Sequence, residues 1–298
     1  MSNPGPPDLP SASPAAAPPS AAAAVRPVAL VTGAARRIGR AIALELADAG
    51  FDIALHHHGA SADMLDDAKA SAAELRRRGA RVELLSAELS DTAAAAGLVP
   101  AAVQAFGRLD ALVNNASRFE YDSPLDFDPA LHESLARINV CAPLLLARAL
   151  ARQVGLQPPL DPGRGITPCV VNLLDQKLHN PNPDYFSYTL TKAALQHATV
   201  LLAQAFAPAV RVCGVSPGIT LHSGPMTDAE FERARTLTPL GRSSQPQDLA
   251  RAVRFLLESP AITGIDLTVD GGQHLLGQPR DVLFLARRNA SADPTPTR

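Results

Sequence analysis

The sequence predicts an α/β fold: one doubly wound parallel sheet of about seven strands with helices on both faces. Three observations carry this reading. Short apolar, β-rich runs alternate with longer stretches at helical spacing along most of the chain. The apolar runs are nearly continuous, as in parallel strands covered on both faces. A glycine turn closes the first run just where a helix begins, and sheets of this kind hold ligands at the carboxyl ends of their strands.

The first element is the strand "PVALVTG" at 27–33. "RIGRAIALELADAG" follows at 37–50, where Ile38, Ile42 and Leu46 share a helical face and Gly50 is a stop. "FDIALH" is a second strand and "ADMLDDAKASAAELRRRGA" a second helix. "RVELLSAEL", "DALVNNAS", "TPCVVNLLD" and "VRVCGVSPG" read as later strands, with helices at 128–152 and 185–207 between them. The stretch 154–167 reads as an exposed excursion, and 220–240 as a segment that closes over a ligand.

The chain is 298 residues long, near the top of the range for a single α/β domain, and 46% hydrophobic residues suffice for a large core. Residues 1–24 are Pro, Ala and Ser with almost no charge and are expected to be a disordered extension. The domain then spans 25–278, and 279–298 reads as a tail, partly disordered. A net charge of −2 gives no reason to expect nucleic acid or an anionic membrane as partner. No apolar run reaches the roughly 18 residues of a membrane span. The three cysteines, Cys141, Cys169 and Cys213, are far apart and fit packing in a reduced, cytoplasmic protein.

Chemistry-bearing residues collect at strand ends. Gly33 and Gly39 frame a turn into a helix that permits close approach of a phosphate to backbone N–H groups. Arg36, Arg37 and Arg40 crowd that helix start, where cations are disfavoured by roughly 0.3–1 kcal/mol each unless a polyanion sits opposite. The second strand ends in His56, His57 and His58, with Ser61 beyond, where a site selective for NAD would carry a carboxylate. Successive strand residues point to alternate faces, so the three histidines cannot ligate one metal, and no metal site is expected. Tyr188 and Lys192 lie at i and i+4 of a predicted helix, where an ammonium favours the phenolate and makes the phenol a better acid. Asp175 ends a strand thirteen residues before Tyr188.

Gly33-x3-Arg37-x-Gly39, "NNAS" at 114–117, Asn139, Tyr188 with Lys192, "SPG" at 216–218 and "VDGGQHL" at 269–275 resemble the short-chain dehydrogenase/reductase family, a Rossmann-type fold. The resemblance runs from Pro27 to Leu276. Most of that family has glycine at 37 and 117 and serine at 175. Arg37, Ser117 and Asp175 instead resemble the pteridine and dihydromonapterin reductases.

The resemblance implies catalytic roles for Asp175, Tyr188, Lys192 and Asn139, the last supporting Lys192 through a water. It implies an NADPH cleft formed by Gly33, Arg36, Arg37, Ile38, Gly39, Glu88, Leu89, Asn115, Ala116, Ser117, Tyr188, Lys192, Pro217 and Gly218. Where the branch carries an arginine and a serine for the 2′-phosphate, this chain has Gly59 and Ala60, which leaves Arg36, His57 or Ser61 for that task. Arg37, Ser117, Phe119, Asp175 and Tyr188 would hold the substrate, with Phe119 stacked on it and Arg37 over its edge. The expected activity is NADPH-dependent reduction of a pterin or folate C=N bond by a homotetramer whose faces are the helices at 128–152 and 185–207. An ionised carboxylate at 175 opposes the oxyanion that forms on a ketone, whereas a ring nitrogen takes up a proton. A carbonyl reductase is the alternative among enzymes, and a non-catalytic NADP sensor the alternative outside them.

Overall fold

A computed structural model describes residues 25–59, 61–155, 167–222 and 226–291. The expected extension at 1–24 and most of the excursion at 154–167 lie outside the described residues. Seven strands form one parallel sheet: β1 (Val28–Val31), β2 (Asp52–His57), β3 (Val82–Ser86), β4 (Ala111–Asn114), β5 (Cys169–Leu173), β6 (Arg211–Pro217) and β7 (Asp266–Val269). Their spatial order is β3-β2-β1-β4-β5-β6-β7, so the order reverses between β1 and β4. A crevice opens at the strands' carboxyl ends at such a point.

The strands read as continuous apolar runs because both faces are buried. Ala29, Val31, Ile53, Leu55, Val113, Val171 and Val215 face α1 (Arg37–Asp48) and α8 (Pro246–Glu258), packing on Ile42, Leu46, Leu249, Val253 and Leu256. Their neighbours Val28, Leu30, Ala54, Leu112, Val170 and Val212 point the other way. They pack on α3 (Thr92–Phe106) and α5 (Ala142–Val154) through Leu98, Val99, Leu146 and Leu150.

Helix starts follow side-chain chemistry. Ser61 caps α2 (Ala62–Arg77) by accepting from Met64 N, and Asp91 caps α3 through Ala93 N and Ala94 N. Thr227 and Glu230 form a capping box on α7 (Asp228–Thr236). The start of α1 has no such cap: Arg36 stands at the N-cap position and makes no side-chain capping bond.

Two expectations need correction. The helix expected at 128–152 is α4 (Pro129–Ala136), a π turn at Arg137–Cys141, and α5; the extra residue in that turn sends Asn139 into the interior. An 18-residue stretch within this continuous run, Pro129–Val154, is apolar enough by composition to match a membrane span, with a mean hydropathy of 1.4. Its Ala142, Leu146, Ala147 and Leu150 are buried in the core. The helix at 185–207 is α6 (Phe186–Phe206). The second correction is the tail, since 282–291 forms α9 (Val282–Ser291). Val282 and Ala286, four residues apart, pack on Ala234 of α7, and Arg287 pairs with Glu230 at 2.9 Å. The ordered domain therefore continues past 278.

Candidate active site

The crevice is built first from glycine geometry. Gly33 ends β1 at a φ of +64°, and its N–H donates to His56 Nδ1 at 3.0 Å. A Cβ on Gly39 would lie 2.3 Å from the Gly33 carbonyl oxygen, so only glycine lets α1 start this close to the strand. The end of β4 is stitched to the same turn. Asn115 N and Ala116 N donate to Thr32 Oγ1, and Asn115 Nδ2 donates to Thr32 O at 2.8 Å.

Arg37 occupies the left-handed region at a φ of +56°. A glycine there is unstrained, whereas a side chain costs roughly 1 kcal/mol. The strained backbone carries the guanidinium away from the turn, and its Nη2 donates to the carbonyl of His222 at 2.7 Å. Arg37 thus bridges the cofactor turn and the loop after β6.

Two adjoining cavities meet at that bridge. The larger, ≈ 620 Å³, lies over the ends of β1 to β4 and is lined by Gly33, Arg36, His57, Glu88, Leu89 and Ala116, among others. The smaller, ≈ 230 Å³, is lined by residues including Phe119, Asp175, Tyr188, Lys192, Pro217 and Gly218. Arg37, Ile38, Asn115 and Ser117 line both. Ser61 lines neither; its hydroxyl is the α2 cap.

The three histidines have separate environments. His56 is buried, with Nδ1 accepting from Gly33 N and Nε2 donating to Ala87 O at 3.1 Å. These partners fix the neutral tautomer, and burial pulls its pKa down to about 4. His57 is also buried, and its Nδ1 has no hydrogen-bond partner among the described residues. His58 is exposed and pairs with Glu88.

In the smaller cavity, Tyr188 OH donates to Asp175 Oδ2 at 2.9 Å, while Asp175 Oδ1 accepts from Lys177 N. The same carboxylate therefore caps the short turn Gln176–Leu178 and holds the phenol. Lys192 Nζ donates to Leu173 O at 2.7 Å and lies 5.7 Å from the centre of the Tyr188 ring. Burial raises the Asp175 carboxyl. Burial also pulls Lys192 down to about 8, against the opposing pull of Asp175. Burial, then Asp175, push the Tyr188 phenol well above its ordinary value. The expectation of a phenol made more acidic by Lys192 is corrected: beside a buried carboxylate, Tyr188 keeps its proton.

Among the described residues, the Asn139 side chain hydrogen-bonds to neither Lys192 nor Tyr188. Its Oδ1 accepts from Ser117 Oγ and Arg118 N, and its Nδ2 donates to Arg118 O and Thr191 Oγ1. The side chain therefore holds the "NNAS" loop against α6. Phe119 is 37% exposed; it stacks on Tyr185 at 4.2 Å and meets Tyr188 edge-on at 4.7 Å.

Several residues in the wall or behind it escape the sequence reading. Tyr185 has a φ of +54° and presents the ring under Phe119. Lys177 is buried, donates to Asp184 O and lies 3.6 Å from Asp281. Asp184 in turn accepts from Arg280 Nε and Asp281 N, both at 2.7 Å. Gln278 at the expected end of the domain, and Asp281 and Val282 from the segment the sequence presents as tail, complete the wall. Lys177, two residues from Asp175, was within reach of a local reading; Asp281 was not.

A family model described as enoyl-(acyl carrier protein) reductase matches residues 33–274. Pteridine reductase 1 of Leishmania tarentolae is 34% identical over 286 residues, covering 84% of this chain and 96% of the relative. The chain belongs to the short-chain dehydrogenase/reductase family. Among solved members of this family, FolM alternative dihydrofolate reductase 1 from Brucella canis, complexed with NADP, is 37% identical with a TM-score of 0.74, covering 85% of this chain and 96% of that one. The 3-oxoacyl-[acyl-carrier-protein] reductase FabG of Staphylococcus aureus is 29% identical, covering 83% of this chain and 98% of the relative. Within the family, the pteridine reductase branch is the one supported.

Proposed function

We propose that this short-chain dehydrogenase/reductase is an NADPH-dependent reductase of pterin-type C=N bonds. The observation that carries the reading is the part-buried Tyr188–Asp175 hydrogen bond lining the smaller cavity. The residues present fit the cofactor. A Cβ at Gly39 would strike the Gly33 carbonyl, Arg36 at the N-cap of α1 makes no side-chain capping bond, and Lys192 is a buried cation lining the smaller cavity. When bound, the dinucleotide supplies hydride.

The chain's own residues do the rest. Lys192 holds the ribose hydroxyls and orients the nicotinamide end. Tyr188 donates its proton towards the ring nitrogen of the reduced C=N bond. Asp175, protonated more readily than an ordinary carboxyl, replenishes Tyr188 and accepts from the substrate's amino group. Phe119 offers its exposed face for stacking, worth roughly 0.5–1.5 kcal/mol beyond area. Arg37 covers the substrate edge from the cofactor side. Asn139 acts by holding Ser117 and Arg118 in place.

Similarity to FabG favours a second reading, reduction of an oxoacyl ketone. Asp175 weighs against it: in its ionised form, the form that accepts from Tyr188, it repels a developing oxyanion that serine would stabilise. The test follows NADPH absorbance with a dihydropterin, dihydrofolate and an oxoacyl thioester, each with wild type and Asp175→Asn. Dihydropterin turnover that falls steeply in Asp175→Asn supports the proposal. Faster turnover of the oxoacyl substrate in wild type overturns it. The same reading keeps the protein cytoplasmic, in accord with its free cysteines, and assembled as a homotetramer.

A further inference from the structure

Both oxygens of the Asp175 carboxylate are committed: Oδ2 accepts from the Tyr188 hydroxyl and Oδ1 from Lys177 N, each at 2.9 Å. The rotation of the carboxylate towards the phenol is therefore set by the turn Gln176–Leu178. That turn has three residues and is closed by Leu178 N on Asp175 O at 3.2 Å and His179 N on Gln176 O at 3.0 Å. Turns of this tight helical type have poor hydrogen-bond geometry and hold themselves weakly. The side chain of the middle residue fastens it. The Lys177 ammonium is buried, donates to Asp184 O, and lies 3.6 Å from Asp281 Oδ2 and 5.4 Å from the centre of the Tyr185 ring. Burial pushes that ammonium below its ordinary value, and Asp281 is foremost among the carboxylates that oppose the push.

We propose that the Lys177–Asp281 ion pair is a positioning device for the reduction: it clamps the turn whose N–H aims Asp175 at Tyr188, and so governs proton transfer to the substrate without governing dinucleotide binding. The inference rests on the role given to Asp175 above. Lys177 acts through Asp175 and is a positioning residue.

A buried cation that loses its counter-charge is left uncompensated. Moving the Lys177 side chain towards water relieves this, and the turn that carries Asp175 moves with it. Asp281→Asn separates charge from architecture. Asp281 Oδ1 accepts from Leu283 N at the start of α9, a bond that an asparagine side-chain oxygen also makes. Helix α9 stays held by Val282 and Ala286 on Ala234 and by Arg287 on Glu230, and Arg280 just before it stays paired with Asp184. Lys177 and Asp281 line the smaller cavity and not the larger, so the dinucleotide end of the crevice is left alone.

The test uses the full-length protein, with NADPH oxidation followed on dihydrobiopterin and on an oxoacyl thioester. kcat is counted per NADPH-binding site, titrated by fluorescence. Asp281→Asn, Lys177→Met and the double variant form a cycle. Each single variant should lower kcat on dihydrobiopterin about 10-fold, the scale of loss when a reacting group is slightly misplaced. The double variant should fall no further than Lys177→Met, because the two residues act as one unit. The solvent deuterium isotope effect on kcat should rise in all three, since the weakened step is proton transfer. NADPH dissociation constants should stay as in wild type. Wild-type kcat in Asp281→Asn overturns the proposal, and this variant decides by itself if Lys177→Met does not fold. Effects that multiply in the double variant also overturn it, as does a fall in kcat with an unchanged isotope effect, the mark of a merely structural loss. In each of these cases the pterin reading stands. Wild type that reduces the thioester and not dihydrobiopterin overturns the pterin reading and this inference with it.

Discussion

At the scale of the residue, the site is a set of charges that burial has moved. Tyr188 is held protonated and aimed at Asp175, so removing only its hydroxyl separates chemistry from packing. Tyr188→Phe should lower kcat about 10²–10⁴-fold, the usual contribution of a general acid. NADPH binding, followed by fluorescence, should be nearly unchanged because the ring remains. Lys192 gives a pH signature. Its charged form predominates below about 8 in the free protein. Since kcat/KM reports the free enzyme, it should fall as pH rises through that value, and Lys192→Arg should move or remove the alkaline limb. The shared placement of Tyr188 and Lys192 on one face of α6 was legible in the sequence because i and i+4 spacing fixes it. The direction of the Tyr188 shift was not, since it depends first on burial and then on Asp175, brought in by another strand. The separate environments of His56, His57 and His58 were half legible. Alternation ruled out a common metal, but which nitrogen meets which carbonyl is set by β1 and β3.

At the scale of the element, the strands were legible because a parallel strand must be apolar on both faces. The π turn was not, because one inserted residue leaves the apolar pattern of 129–154 nearly undisturbed. Helix α9 was missed because its apolar positions sit in a stretch that opens among prolines and glycines and carries a run of arginines. That helix and the residues before it carry part of the substrate wall, through Gln278, Asp281 and Val282, and tie it to Lys177 and Asp184. Truncation after residue 278 should therefore raise KM for the substrate by an order of magnitude or more, while NADPH binding, built at the opposite end of the crevice, persists. It should also lower the melting temperature, since burial of Val282, Leu283 and Ala286 is lost. Steady-state kinetics and a thermal melt on the shortened chain check both.

At the scale of the whole molecule, the strand order puts both cavities at the reversal between β1 and β4, the location anticipated from the alternation of strands and helices. The tetramer expectation finds apolar surface to use. Leu190, Val200 and Leu201 of α6 are 42%, 43% and 64% exposed. Light scattering should give a mass near four chains, and Leu201→Glu, a charge on that face, should shift it towards smaller species. One feature reaches across the entire crevice. Arg37 lines both cavities and bonds the loop beyond β6, so a ligand in either cavity meets the same side chain. Dinucleotide and substrate should then be thermodynamically coupled, and linkage requires the factor by which each alters the other's affinity to be the same. In Arg37→Ala that common factor should approach unity, measured by titrating each ligand with and without saturation by the other. The strained turn at residue 37 is in that sense the joint through which two binding equilibria become one.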